Sequence, residues 1–408
     1  MPIILPTFYL WIVDTLALKR GTWTIESGTK LGWHLWKDLE IEEAVFFLLT
    51  NTLIVFGLVA FDNALAVLQT FHHLFPKVSD TPSPLLLVRA LLIPPAAYDE
   101  MRIQGLGQAL QRLRAKSRSF YLASGAFQGR LRIDLILLYS FCRVADDLVD
   151  EATDVQEARK WIDRLRAYVD LSYGTQQLEK LRSTEEYVMT TFPPDAQAAL
   201  LLLPTASLSS APLYDLLSGF ETDLRFSSTS ENFPIADAQC LETYGARVAG
   251  TVAESCLELV YQHTSAPTPR SQKRRILEAG RRMGIALQYV NIARDIAVDA
   301  ANGRIYIPMT WLQDEGLKPA DVLRHPNSSK IETLRHRLLD QAMEIYEDAK
   351  RAIEELPSEA RSPMRVAVES YVEIGRVLRT TGYRVKGGRA TVPKARRLRV
   401  AWRALQKR

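Results

Sequence analysis

The sequence has 408 residues, 47% hydrophobic and 24% charged, a composition that excludes collagen-like, low-complexity and wholly disordered proteins. Its three cysteines, none in a CxxC pair, exclude a disulfide scaffold and disfavour a thiolate zinc site. The net charge is +4, but residues 377–408 hold eleven Lys or Arg and no acid. The rest of the chain therefore has a net charge of −7, which indicates a body that handles cations rather than nucleic acid.

The first long apolar element is an uncharged run of 18 residues at positions 44–61, which meets the lower bound for a membrane span. A buried helix of a soluble domain would show the same pattern. The run is not a cleavable signal, because it lies far from the start and no basic segment precedes it. Four of the seven tryptophans fall in the first 36 residues, as expected where rings lie at a bilayer interface. We predict a membrane-embedded segment over residues 1–75.

Glu40, Glu42 and Glu43 stand directly before this run. They are either a solvated flank of the span or a proton donor and acceptor at the mouth of an apolar site, and the spacing favours the flank. Prolines and serines around 79–84, followed by Pro94-Pro95, predict a linker over residues 76–100.

The rest of the chain, residues 101–408, carries a helical pattern. Apolar residues recur at intervals of three and four, and alternating Val, Ile and Thr are scarce, so we predict an all-α domain without a parallel sheet. Breaks are expected at 192–194, 226–234, 265–269 and 319–326. The glycines at 105 and 107 follow no strand and lack a third partner, which disfavours a dinucleotide-binding loop.

Two acidic helices carry the strongest functional signal. Asp146 and Asp150 are four residues apart and share a helix face, with Arg143 three residues before them. In the second helix, one face holds four polar residues: Gln288, Asn291, Asp295 and Asp299. Arg294 directly precedes the first of these aspartates.

Both helices embed their carboxylates among apolar residues, which does not suit a solvated surface, although salt bridges within a bundle are the alternative. Aligned carboxylates repel one another, so this pattern calls for a cation. Oxygen-only ligands select Mg²⁺, or Mn²⁺, over zinc, and Mg²⁺ prefers a few carboxylates together with substrate phosphate oxygens. The sequence therefore predicts two facing acidic helices that bind a diphosphate through divalent ions.

Other segments are expected to complete this site. Lys116, Ser117, Arg118 and Ser119 offer cations and hydroxyls ahead of the first acidic helix, either for phosphate or merely for solvent. Near the end of the chain, further candidates are Tyr371, Tyr383, Arg389 and Lys394. We interpret Glu221 and Asp223 as a helix end that supports the site indirectly. Small residues over 245–253 predict either tight helix packing or one wall of a channel for a long polyprenyl chain.

The motifs SRSF, CRVADDLVD, YGARVAGTV and QYVNIARDIAVDAANGRIYIP occur in this order and together resemble the squalene and phytoene synthases that join isoprenyl chains head to head. The resemblance covers about residues 100–395. Residues 2–70 resemble the end of the membrane-embedded cyclase half of fungal bifunctional lycopene cyclase/phytoene synthases. Most spans of that half are absent from this sequence, so we expect an incomplete cyclase domain and little cyclase activity.

The resemblance implies a single large isoprenoid-synthase-type helical domain preceded by a short transmembrane segment. It assigns the metal ions to Asp146, Asp150, Asp295 and Asp299, with Asn291. Arg143, Gln288 and Arg294 fit the diphosphate and metal shell, and Tyr244 fits a tyrosine beside the site. Tyr371 and Arg389 match through a less specific spacing. At Gly245 the family usually has a cysteine, and at Ala253 a glycine is common.

The function implied is phytoene synthesis from two geranylgeranyl diphosphates through prephytoene diphosphate, dependent on Mg²⁺ and without nicotinamide. Aromatic walls would protect the carbocations from water, with Phe120, Tyr121 and Phe141 as candidates. A squalene-type synthase and a non-catalytic helical membrane scaffold are the alternatives. The expected partners are the lipid membrane and other carotenoid enzymes, with the synthase domain on the cytosolic side. The basic tail is either a solvated extension or a segment beside anionic lipid.

Overall fold

The computed structural model describes residues 1–24, 28, 31–79, 81–174, 177–226, 233–264, 267–380 and 392–406. The chain divides into two compact units, Met1–Asp99 and Glu100–Arg408. In the described residues the strands are confined to one antiparallel pair, β1 (His34–Trp36) and β2 (Leu39–Glu40). The predicted all-α class is confirmed.

In its described residues the first unit contains three α-helices, α1 (Ile4–Lys19), α2 (Ile41–Thr70) and α3 (Pro84–Leu91), and a short 3₁₀ turn at Pro95–Ala97. Helix α2 has a mean hydropathy of 2.3 in its most apolar 18-residue window, of which only 6% is buried within the structure. It is therefore long and apolar enough to cross a membrane, and it is not a buried core helix. Helix α3 lies in the stretch predicted as a linker and packs on α2 through Ala64, Leu68 and Ala90.

Tryptophans join α1 to the residues around β2. Trp11 donates a 2.9 Å hydrogen bond to the Ala44 carbonyl, and Trp36 donates one of the same length to Thr15. The rings of Trp11 and Trp36 meet edge to face at 5.8 Å. These two tryptophans thus hold the first unit together, whatever their position relative to lipid.

The second unit is a bundle whose helices are α4 (Glu100–Lys116), α5 (Arg118–Ser124), α6 (Gly129–Asp150), α7 (Val155–Tyr173), α8 (Gln177–Thr191), α9 (Pro194–Leu201), α10 (Ala211–Asp223), α11 (Ala238–Gly245), α12 (Thr251–His263), α13 (Arg270–Ala301), α14 (Met309–Asp314), α15 (Pro319–Arg324), α16 (Ser329–Ala349), α17 (Ser358–Leu378) and α18 (Lys394–Gln406). A π-helical turn, Ala246–Gly250, connects α11 to α12. Helices α14 and α15 are short, and α15 occupies the interval 319–326, where we predicted a break.

Local chemistry sets these helix ends. The Asp154 carboxylate accepts a 2.8 Å bond from the Glu157 amide and starts α7, and Asp237 does the same for Cys240 at the start of α11. Pro269 directly precedes α13, and proline is common at helix starts because its missing N–H would have no partner within the helix there. Two large buried clusters form the core, one around α13, α16 and α17 and the other around α6, α7, α10 and α12.

Candidate active site

A cavity of about 770 Å³ lies within the second unit and gathers most of the predicted site residues. Its walls come from α5, α6, α10, α12, α13 and α17, with the π-helical turn between α11 and α12. Much of the lining is apolar, as at Leu257, Ile276, Met283 and Leu356. Charged residues line the rest of the cavity, and among them five aspartates and three arginines form the interacting group described below.

The first acidic helix turns Asp146 and Asp150 into this cavity. Arg143, on the same face of α6, donates a 2.7 Å bond to Asp146 and also contacts Asp147. Asp147 does not line the cavity; it lies 3.4 Å from the Lys116 ammonium. The i and i+4 spacing therefore separates the two cavity aspartates from their neighbour, as the helical period predicts.

The second acidic helix places Gln288, Asn291, Arg294, Asp295 and Asp299 in the same cavity. The Arg294 Nε donates a 2.8 Å bond to Asp295, and the Asn291 amide donates a 3.2 Å bond to the Gln288 carbonyl oxygen. Asp299 forms no ion pair within the described residues, although the charges of Arg304 and Arg294 act on it. Helix α13 thus presents amide, carboxylate and guanidinium groups to the cavity.

Asp223, the last residue of α10, lies between these groups. It is 9% exposed and lines the cavity itself, which corrects our interpretation that it supports the site only indirectly. Tyr306 donates a 2.8 Å bond to one of its oxygens and Tyr244 a 3.3 Å bond to the other. Glu221, two residues before, is exposed and binds Arg166 at 3.0 Å.

Arg304 and Tyr306 belong to this site and were not predicted from the sequence. Arg304 follows the second acidic helix and binds Asp150 on the first at 2.7 Å, and the Tyr306 ring stacks on the Tyr244 ring at 5.0 Å. Both residues belong to the quoted segment that ends in GRIYIP, but they lie beyond the helix, where helical periodicity gives no direction. The sequence did show an arginine and a tyrosine shortly after Asp299, and this proximity was the signal that could have indicated them.

Burial dominates the electrostatics of these carboxylates. Desolvation, followed by the charge of Asp150, raises the pKa of Asp146. Desolvation also raises the pKa of Asp223 to about 6 and, together with Asp295, the pKa of Asp299 to about 8. The charge of Asp223 contributes to the rise at both Asp146 and Asp299. The buried aspartates of the site therefore disfavour one another's ionised forms, and a cation bound between them would be stabilised.

Of the residues predicted to face phosphate, the four in the segment 116–119 all line the cavity, and two of them have structural roles as well. Ser117 accepts a 3.4 Å bond from the Phe120 amide and caps α5, and buried Ser119 donates a 3.4 Å bond to the Ser370 carbonyl. Lys116 and Arg118 also line the cavity. Whether these side chains bind phosphate stays a prediction.

Tyr371, on α17, is brought into the site by two polar contacts. Its hydroxyl donates a hydrogen bond to the side-chain Oδ1 of Asn291 and lies 3.5 Å from the Arg294 guanidinium. Its ring stacks on Phe120 with centroids 5.0 Å apart, so this aromatic pair forms part of the wall. Of the other aromatic candidates, Phe141 is buried in the core at 1% exposure and Tyr121 is 38% exposed, and neither lines the cavity.

Two candidates from the tail, Tyr383 and Arg389, lie outside the described residues. Lys394 is exposed at the start of α18 and does not line the cavity. Val392 and Arg397 do line it, and neither was predicted. Residues 394–406 form a helix that packs on α17, so the interpretation of this part of the tail as a flexible extension is wrong.

The small residues beside the π-helical turn pack tightly against α13, and their segment also lines the cavity; a polyprenyl chain along this wall stays a prediction. A side chain at Gly284 of α13 would place its Cβ 2.5 Å from the Ala249 carbonyl oxygen, so the two helices touch through their backbones. On its other side, the same segment lines the cavity with Val248, Ala249 and Val252. Tight packing therefore positions one apolar wall of the cavity.

Comparisons with known proteins agree with this arrangement. The sequence profile of the squalene/phytoene synthase family matches residues 113–396. The bifunctional lycopene cyclase/phytoene synthase of Gibberella fujikuroi is 58% identical over 407 residues, covering 100% of this chain and 70% of that protein. The protein of the same name from Pyrenophora tritici-repentis is 56% identical over 405 residues, 99% of this chain and 69% of that protein. A crystal structure of a dehydrosqualene synthase shares the fold, with a TM-score of 0.55 at 22% identity over 75% of this chain and 96% of that one.

Proposed function

The chain belongs to the squalene/phytoene synthase family and, within it, to the bifunctional lycopene cyclase/phytoene synthases, and from this premise we propose that it joins two geranylgeranyl diphosphates into phytoene. It is a prenyltransferase-type enzyme with a role in carotenoid synthesis. The observation that carries the finer proposal is the shared cavity, in which five aspartates, six arginines and Lys116 from separate elements meet a largely apolar wall.

The donor set of the site suits Mg²⁺, with Mn²⁺ as the alternative, because all its anionic ligands are carboxylates. Among the described residues, however, no three Asp, Glu, His or Cys side chains are close enough to hold an ion alone. Mg²⁺ is commonly bound through one or two carboxylates and completed by water and substrate phosphate oxygens. Asp146 with Asp150, and Asp295 with Asp299 and Asn291, would hold the ions in this way.

When bound, the ions would neutralise the departing diphosphate and so make ionisation of its carbon–oxygen bond feasible. The chain's own cations support the same step. Arg143, Arg294 and Arg304 each bind an aspartate of the site, and their remaining N–H groups are available to diphosphate oxygens. Lys116 and Arg118 extend this cationic group at the cavity wall.

The reaction that follows balances without a redox partner. Loss of diphosphate from one substrate leaves an allylic cation, which the 2,3 double bond of the other substrate attacks; loss of a proton closes the cyclopropane of prephytoene diphosphate. Loss of the second diphosphate, rearrangement and loss of another proton give phytoene. The freed diphosphate is the base we propose for the proton losses.

The cavity wall has two tasks in this scheme. Carbocations must be kept from water, and the apolar residues of α12, α13 and α17 exclude it. The stacked rings of Phe120 and Tyr371 present a π-face that can stabilise positive charge nearby. Tyr244 and Tyr306 hold Asp223 in place through their hydroxyls, which orients that carboxylate toward the metal-binding aspartates.

Location in a membrane is part of the proposal. Helix α2 meets the length and hydropathy of a span, and the product is a hydrocarbon. We propose that the chain is anchored through α2 with its synthase domain on the cytosolic side. Proteolysis of sealed vesicles, followed by mass identification of the protected peptides, tests both the span and its sidedness.

The function is tested by supplying C20 diphosphate and Mg²⁺ and identifying the product by mass. We expect a C40 hydrocarbon together with two equivalents of diphosphate. A C30 product that forms from C15 diphosphate and requires NADPH would instead indicate a squalene-type synthase. A helical scaffold without catalysis would retain its role in the variants Asp146→Ala and Asp295→Ala, which we expect to abolish turnover.

A further inference from the structure

Helix α18 is a fixed part of the second unit. Ala401 and Ala404 pack in a buried cluster with Ala123 and Val366. Arg365, itself 4% exposed, donates a 2.9 Å bond to the Ala404 carbonyl, which secures the end of the helix. One side of α18 is therefore occupied by protein.

A side of the same helix next to this buried one exposes large apolar residues. Leu398, Trp402 and Leu405 are 59%, 61% and 46% exposed. Their spacing of four and three residues places them in one stripe along the helix. An apolar stripe that includes a Trp is typical of a helix whose apolar face enters a membrane interface.

Cations border this stripe. Lys394, Arg399 and Arg403 are exposed, and no ion pair is recorded for any of them in the described part of the chain. The neighbouring Arg396 differs, because it binds Glu373. No acidic residue occurs between positions 377 and 408. The exposed surface of α18 thus carries an apolar stripe with Arg399 and Arg403 along one edge and Lys394 at its start.

We propose that α18 docks on an anionic phospholipid surface, with Leu398, Trp402 and Leu405 at the boundary of headgroups and acyl chains. The flanking cations then lie among the lipid phosphates. A second copy of this chain fits the face poorly, because its cations would meet cations. The apolar helix α2 gives the chain a route to the bilayer and would raise the local concentration of lipid around α18.

Docking has a consequence for the cavity, and this consequence alone rests on the proposed function. Arg397 of α18 and Val392 just before it line the cavity. A docked α18 would therefore hold one cavity wall against the bilayer, which is where a C40 hydrocarbon must go. The docking itself does not require that any phytoene be made.

The test uses the full chain in lipid nanodiscs, with the photoreactive amino acid benzoylphenylalanine in place of Trp402. We expect a lipid adduct at this position in nanodiscs of phosphatidylcholine with 30% phosphatidylglycerol. The matched control places the same probe at Met189, an apolar residue of α8 that is 53% exposed, where we expect little adduct. Equal lipid labelling at both positions would overturn the proposal.

Charge provides the second arm. The variant Arg399→Gln with Arg403→Gln should lower the lipid adduct roughly fivefold per cation removed. Arg282→Gln, a change at an exposed pair on α13, should leave it unchanged. An adduct that is independent of anionic lipid, or one that joins two protein chains, would contradict docking on an anionic membrane. The melting temperature of each variant is measured to check that the second unit remains folded.

Discussion

Arg304 binds Asp150 at 2.7 Å and thereby joins the turn after α13 to the last residue of α6. The two acidic helices are thus connected by a cation that the chain itself supplies. Desolvation opposes the charge of Arg304, but the neighbouring Asp150, Asp223 and Tyr306 raise the pKa of its guanidinium. This residue therefore stays charged, holds α6 and α13 in register and lines the cavity.

The variant Arg304→Gln tests this role. We expect turnover to fall roughly 100-fold, the size typical of losing one positioned donor to developing charge. Steady-state product formation measures the effect. Arg282→Gln, at an exposed pair 3.5 Å long, is the matched control and should stay within about twofold of wild type. Equal activity in both variants would show that Arg304 makes no contribution to turnover.

Asp223 and Glu221 offer a second matched pair. Asp223→Asn should lower turnover by roughly 100-fold or more, because it removes a buried charge that faces both aspartate pairs. Glu221→Gln should have little effect, since Glu221 is exposed and contacts only Arg166 within the described residues. Product formation at saturating Mg²⁺ compares the two. Loss of activity in the glutamine variant alone would reverse our assignment.

The closely spaced carboxylates of the site should lower the free energy of unfolding when no metal is bound. The pKa of Asp299 is raised to about 8 in the fold, so the unfolded chain ionises this group more readily and stability falls as the pH rises from about 4 to 8. Asp299→Asn should therefore stabilise the metal-free protein, on the order of 1 kcal/mol near pH 8 and less at pH 5. Denaturant unfolding at both values measures this. A destabilised variant at pH 8 would contradict it.

Metal and diphosphate should bind together. Because no three protein ligands converge in the described residues, Mg²⁺ alone should bind weakly, and inorganic diphosphate should raise its affinity at least about tenfold. Calorimetric titration of Mg²⁺ with and without diphosphate measures the difference. In Asp146→Asn the enhancement should disappear. Tight Mg²⁺ binding without diphosphate would point to a preformed metal site.

The contact of α13 with the π-helical turn sets a test of stability. Gly284→Ala would bring Cβ within 2.5 Å of a backbone oxygen and should destabilise the fold by about 1–3 kcal/mol. Gly107→Ala, in α4, meets nothing within 4 Å and should stabilise by up to about 1 kcal/mol. Thermal unfolding followed by circular dichroism compares them. Opposite signs are expected, and a neutral Gly284 variant would show that the helices can separate.

Helical period predicts much of this site. The spacing of Asp146 and Asp150, and of Asn291, Asp295 and Asp299, determines which side chains share a face, and the structure directs all five into one cavity. The all-α class and the family resemblance are confirmed. The catalytic and metal-binding roles of these residues stay predictions.

What the sequence does not reveal depends on tertiary packing. Arg304 and Tyr306 follow the end of α13, where backbone direction is set by the turn rather than by a period. Asp223 ends α10, and only the approach of Tyr244 and Tyr306 brings it into the cavity. The position of α18 on α17 follows from Ala401 and Ala404, whose small side chains carry little signal in a basic segment.

The cavity wall is assembled from residues far apart in the chain. Ser119 binds the carbonyl of Ser370, 251 positions later, and Arg397 closes the wall from later still. A ribosome that has reached position 380 therefore carries a nascent chain whose apolar helix α2 has already emerged but whose cavity still lacks Val392 and Arg397. If α2 is the anchor that we propose, the order of synthesis places its insertion before the cavity is complete.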